Sequence, residues 1–192
     1  MICPITRTIA VQQAINFGFP KRQCIAFLDP EYQQKPNQID AVKKITPIVS
    51  EGGLVLIRGG VGTGKTALAC SYGYGWYRRG YSSRYGKARY WRQTGLLNEQ
   101  KSSFSNRQTS DPFSLAQDCG LLVIDELLAT HESAFDQNAL RDILDVRYAG
   151  LKPTILITNL GDDGLRSALD SPTLDRIRDQ GVLVEVTGRS IR

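Results

Sequence analysis

Apolar residues recur along this chain in two rhythms, and the alternation between them predicts the architecture. Leu54-Val55-Leu56-Ile57 is an unbroken apolar run closed by glycines, the pattern of a strand buried on both faces. Leu121 to Ile124 repeats it, and Thr154 to Thr158, Val182 to Val186 and Ala88 to Gln93 add three further strands. Between them lie segments with helical spacing. Gln38 to Ser50 places Ile39, Val42, Ile45 and Val49 three and four apart, with Pro47 expected to kink or shorten the helix. Lys65 to Arg79, Thr94 to Phe104, Ala134 to Tyr148 and Asp163 to Arg178 read as the other helices. Strands alternating with helices predict an α/β fold: a doubly wound, parallel, five-stranded sheet with helices on both faces. Residues 1–37 have mixed patterning, with turn signals at Gly18-Phe19-Pro20 and Asp29-Pro30, and read as an N-terminal arm with loops ahead of a core spanning 38–192.

With 192 residues, the chain suffices for one well-buried domain. Its longest apolar run is far too short to span a bilayer, and the N-terminus lacks the basic and apolar regions of a secretory signal. A cytoplasmic location without membrane attachment is therefore expected. Cys3, Cys24, Cys70 and Cys119 form no CxxC pair and read as reduced thiols, while the single histidine, His131, reads as a surface residue. The net charge of +5 is unevenly spread, because no Asp or Glu lies between Glu51 and Glu99. A positive field over that stretch attracts polyanions.

The chemistry is concentrated after the first strand. Gly59-Gly60-Val61-Gly62-Thr63-Gly64-Lys65-Thr66 fits GxxxxGK[ST] in full, between a strand and a helix as the motif requires. Backbone N–H groups from Gly60 to Ala67 are expected to cradle phosphate, Lys65 to reach the β- and γ-phosphates and the Thr66 hydroxyl to hold Mg²⁺. Leu121 to Ile124 runs into Asp125-Glu126, two carboxylates at a buried strand's end. Asp125 is expected to bind the Mg²⁺ shell through water, with Glu126 orienting and deprotonating the attacking water. No NKxD or DxxG motif follows Asp125, so ATP rather than GTP is the expected nucleotide.

Three further groups complete the candidate set. Asn159 follows the strand Thr154 to Thr158, where it can sense the γ-phosphate or merely cap a turn. Arg176 is the candidate arginine supplied to a neighbouring subunit's nucleotide, with Arg147 and Arg178 in reserve. Tyr72 to Arg92 interleaves aromatic and basic residues, a composition suited to single-stranded nucleic acid; Arg78, Arg79, Arg84, Lys87 and Arg89 are the expected phosphate contacts. Packing of Tyr72 and Trp76 against the sheet is the competing reading.

Together these motifs resemble an AAA+ ATPase, and more narrowly the bacterial helicase loaders of the DnaC type and the IstB ATP-binding proteins of insertion sequences. The resemblance rests on Gly18 to Arg22, Gly59 to Thr66, Asp125-Glu126, Asp145 to Tyr148, Pro153 to Leu160, Leu174 to Arg176 and Gly188 to Arg192. It implies ATP hydrolysis with Mg²⁺, a homo-oligomer bridged by ATP, binding of single-stranded DNA, and a replicative helicase or a transposase as partner. It places Phe19 and Pro20 near the adenine, and Arg189 as an approach to the nucleotide. The segment ahead of the core is short and the chain stops just past the last strand, so a reduced N-terminal region and little or no helical lid are expected. A nucleotide-binding adaptor with negligible hydrolysis is the alternative from another class.

Overall fold

The computed structural model describes residues 4–105, 111–127, 134–169 and 171–188. His131, Cys3 and Arg189, each singled out in the sequence, lie outside these residues. Five strands, β1 (Leu54–Arg58), β2 (Ala88–Arg92), β3 (Leu121–Asp125), β4 (Thr154–Thr158) and β5 (Gly181–Glu185), form one parallel sheet in the order β2-β3-β4-β1-β5. The register sets Val55 beside Ile155 and Val182, and Leu122 beside Thr154. The order reverses at β1, so the crevice at the carboxyl ends of β1, β3 and β4 is where such a sheet takes ligands.

Alternation along the strands divides the core into two layers. Val55, Ile57, Leu121, Val123, Ile155 and Ile157 face one side. Leu56, Leu122, Ile124 and Leu156 face the other, against Leu140, Ile143 and Leu144 of α8 (Ala134–Ala149). The first side is covered by α1 (Pro4–Asn16), α3 (Pro36–Glu51) and α4 (Lys65–Arg78), with the short α2 (Lys21–Ile25) and a 3-10 turn at Ala26–Leu28. The rest of the helices are α5 (Tyr81–Tyr85), α6 (Gln93–Ser105), α7 (Pro112–Asp118), α9 (Asp162–Ala168) and α10 (Ser171–Gln180).

All five expected strands form; the short helices α2, α5 and α7 are not predicted by the periodicity, and three further differences concern longer segments. Residues 4–16 are helical rather than an arm, burying Ala10, Val11 and Ala14 against the core. The helix expected from Asp163 to Arg178 is two helices, the second opening on Ser171-Pro172. Helix α3 runs through Pro47 to Glu51 without stopping. Pro47 removes one N–H and leaves the carbonyl of Lys43 without its helical donor, on an exposed stretch of the helix. Among the described residues no helix is long and apolar enough to cross a membrane. Cys24, Cys70 and Cys119 are buried free thiols.

Candidate nucleotide-binding site

The loop between β1 and α4 is built from backbone that only glycine adopts at ease. Gly59, Gly62 and Gly64 have positive φ, and a Cβ on Gly59 would meet the carbonyl oxygen of Val186 at 2.2 Å. Gly64 delivers the chain into the first turn of α4 and leaves that turn's N–H groups free for an anion. The loop is held from outside by Gln38, a buried residue at the start of α3 whose Nε2 donates to the Gly64 carbonyl at 2.9 Å. No motif marks Gln38 in the sequence, where it is a polar side chain at the start of an amphipathic helix.

Lys65 is nearly buried, and its Nζ donates to the carbonyls of Gly59 and Gly60, each at 2.7 Å. Burial pushes its ammonium down from the ordinary lysine range, and the nearby Asp125 charge opposes the shift in part. Thr66 donates from Oγ1 to Asp125 Oδ2 at 2.7 Å, joining the helix after β1 to the end of β3. Glu126 takes a left-handed backbone, φ 57°, and its N–H closes onto Asp125 Oδ1 at 2.7 Å. This bend turns Glu126 away from the strand, where Arg92 Nε lies 3.7 Å from its carboxylate.

Val61, Gly62, Gly64, Lys65, Thr66, Ala67, Asp125, Glu126 and Asn159 line one cavity of about 380 Å³, joined by Arg22, Gln23 and Lys35. Its volume falls in the range of ligand pockets. Asn159, exposed at the end of β4, thus reaches the same space as Asp125. The donor set fits magnesium. A hydroxyl and a carboxylate converge, oxygen ligands of the kind that magnesium takes together with phosphate and water.

Other expected positions fall elsewhere. Phe19 is in the core, packed against Gly73 and tilted over Tyr90 at 5.6 Å, because an aromatic ring is stabilised more by burial than at a solvent edge. The ring does not line the cavity, nor does Pro20; Arg22 and Gln23, which follow them, do. Arg147 is fully buried: Nε donates to Thr154 Oγ1, Nη1 to the carbonyls of Ala116 and Cys119, and Nη2 to that of Pro153, each at 2.8 Å. A guanidinium spent in this way cannot reach a neighbouring subunit, so Arg147 is a structural residue. Arg176 pairs with Asp145 at 2.5 Å and lies over the Tyr148 ring, and the more exposed Arg178 pairs with Asp175.

The basic residues do not gather at a single spot. Lys87 and Arg89 both lie over the Phe17 ring, at 5.5 and 5.2 Å. Arg78 lies over Tyr74 and lines a groove with Arg79, Tyr72 and Thr46, while Arg84 lies over Tyr85 on α5. Trp76, Tyr77 and Tyr90 are buried with their polar atoms bonded to Gly86, Ala88 and Asp125, so these rings belong to the core and not to a stacking surface.

The family model described as IstB-like ATP binding protein matches residues 7–192. No curated protein matches the sequence. Among solved structures, the DnaC helicase loader superposes with a TM-score of 0.68 at 22% identity, over 88% of this chain and 100% of that one. A putative primosome component from Streptococcus pyogenes serotype M3 gives 0.65 at 18% identity, over 94% and 99%. AMPPCP-bound DnaA from Aquifex aeolicus gives 0.66 at 21% identity over 83% of this chain, which spans 51% of that one. At these identities the superpositions show a shared AAA+ P-loop fold.

Proposed function

The chain belongs to the family of IstB-like ATP binding proteins, matched over residues 7–192, and from that premise we propose that it is an ATPase of DNA metabolism. The carrying observation is the 2.7 Å contact of Thr66 with Asp125, which sets a P-loop hydroxyl and a strand-end carboxylate on one wall of the cavity that Lys65, Glu126 and Asn159 share. Backbone N–H groups from Gly60 to Ala67 and the Lys65 ammonium hold the triphosphate. Thr66 and Asp125 hold Mg²⁺, which when bound neutralises charge developing on the phosphates. Glu126 takes a proton from a water aligned with the γ-phosphorus, and Asn159 hydrogen-bonds that water or a γ-oxygen.

Assembly follows from the same chemistry. Arg176, drawn from Asp145 toward the nucleotide of a second copy, adds positive charge beside the transferring phosphoryl group, with Arg178 as the alternative donor. Lys87 and Arg89 around Phe17, with Arg78, Arg79 and Arg84, contact the phosphates of single-stranded DNA. The partner is a replicative helicase or, as the family favours, a transposase. Phosphate release measured with and without single-stranded DNA, with Lys65→Ala as control, tests the reading. Magnesium-dependent turnover lost in that variant supports it, and an absence of turnover in the assembled wild type overturns it.

The Arg92 contact supports a second reading. With Glu126 held 3.7 Å from a guanidinium, the isolated chain hydrolyses slowly and works as a nucleotide-binding adaptor until a partner releases the carboxylate. A stimulation of turnover by partner or DNA, limited to about fivefold by so weak a pair, distinguishes a gated enzyme from an adaptor that stays inert.

A further inference from the structure

Asp125 is gripped by three donors, and they differ in kind. Thr66 Oγ1 and Tyr90 Oη both donate to its Oδ2 at 2.7 Å, and the Glu126 N–H donates to Oδ1 at 2.7 Å. The Glu126 N–H is an intrinsic part of the bend that follows the strand. Thr66 is the hydroxyl assigned above to magnesium, so its bond to the carboxylate competes with the ion. Tyr90 alone reaches Asp125 from a different strand through a group that has no other assigned task.

Tyr90 is also fixed in place. It is buried on β2, its ring leans on Phe19 at 5.6 Å, and its backbone N–H donates to the Phe17 carbonyl at 3.1 Å. Gly18 approaches so closely that a Cβ there would sit 2.3 Å from the Tyr90 carbonyl oxygen. Its hydroxyl donates to the Asp125 carboxylate at 2.7 Å from a ring that packing holds in place. A charge-assisted O–H bond to carboxylate from a locked ring fixes the carboxylate's rotation more firmly than a mobile surface group does.

We propose that Tyr90 is the positioning residue of the magnesium carboxylate, holding Asp125 in its metal-facing orientation when Thr66 turns to the ion. The proposal rests on the nucleotide reading of this cavity. Its signature is specific: the hydroxyl sets the metal requirement, leaving the metal-free affinity for nucleotide to the P-loop.

Tyr90→Phe keeps the ring and its contact with Phe19. Two titrations of the full chain read it: magnesium against ATP turnover, and fluorescent ATP binding with magnesium or with EDTA. The expected result is about a tenfold rise in the magnesium concentration for half-maximal turnover and for tight binding, with unchanged affinity in EDTA, the scale of one charge-assisted hydrogen bond. In an Asp125→Ala background the same substitution should have no further effect, and a melting curve reports whether the fold survives. An unchanged magnesium requirement overturns the proposal, as does an equal loss with and without Asp125, which marks a purely structural hydroxyl. Should the wild type bind magnesium-ATP without turnover, the hydrolytic reading fails while the binding titrations still decide the role of Tyr90. Should it bind no magnesium-ATP at all, both fall.

Discussion

Thr66 Oγ1 and Asp125 Oδ2 stand 2.7 Å apart although 59 positions separate them in the chain. The contact exists because β1 and β3 flank β4 in the sheet and end at the same level. It joins the two positions that separate motifs assigned to one ion.

Removing either side should therefore affect magnesium before it affects the fold. Thr66→Ala and Asp125→Asn are expected to weaken magnesium-dependent ATP affinity by roughly 10- to 100-fold, the usual loss when a metal-site group is removed. Binding in EDTA should change little. Lys65→Ala should lose affinity under both conditions. Equilibrium titration with fluorescent ATP separates the patterns, and equal loss in all three variants would remove the metal assignment.

The strands and the P-loop were legible because each is signalled by neighbours in sequence. Leu54 to Ile57 and Leu121 to Ile124 are apolar at every position, as strands buried on both faces must be. Helix α1 was hidden because its core face is Ala10, Val11 and Ala14, small residues among Thr and Gln that give a shallow periodicity. Two helix starts carry plain capping signals that hydrophobic periodicity does not weigh. Asp111-Pro112 opens α7, with the Asp111 carboxylate accepting from the Ser114 N–H at 2.8 Å, and Ser171-Pro172 opens α10. Tyr90, Gln38 and Arg92 were beyond reach for another reason. Their roles depend on which strand or helix lies beside them, and residue spacing carries no such information.

Lys65 should give nucleotide binding a pH dependence. Its pKa in the free protein is lowered, chiefly by burial, so its ammonium begins to lose its proton below the ordinary lysine range. Phosphate favours the charged form and raises that pKa on binding. Affinity is thus fully present at neutral pH and falls as pH rises through the lowered value, with proton uptake on binding in that window. Calorimetry in buffers of different ionisation heat at alkaline pH measures the uptake. A Lys65→Arg variant should show none.

Arg92→Ala should raise basal ATP turnover. The guanidinium lies 3.7 Å from Glu126, and both side chains are well exposed, so the pair is a weak restraint on the proposed general base. An exposed pair contributes under about 1 kcal/mol, which limits the gain to about fivefold. Unchanged turnover, or a decrease, in steady-state phosphate release would mean that Arg92 does not restrain Glu126.

Arg147 is the case in which burial overrules sequence context. Its guanidinium binds the carbonyls of Ala116, Cys119 and Pro153, tying the loops that enter β3 and β4 to α8. Burial lowers its pKa, yet the carbonyl oxygens around it keep a charged donor satisfied. Arg147→Met leaves those acceptors unpaired and is expected to cost roughly 3–5 kcal/mol, the scale of breaking a buried charged network. Denaturant unfolding should show the loss as a lower midpoint. Below the melting temperature, turnover per folded molecule should remain near that of the wild type. Arg176→Ala should do the opposite, keeping the unfolding free energy within about 1 kcal/mol of the wild type and lowering turnover in the assembled state. If Arg147→Met proved as stable as the wild type and inactive only when assembled, the buried position would not be the one occupied in solution.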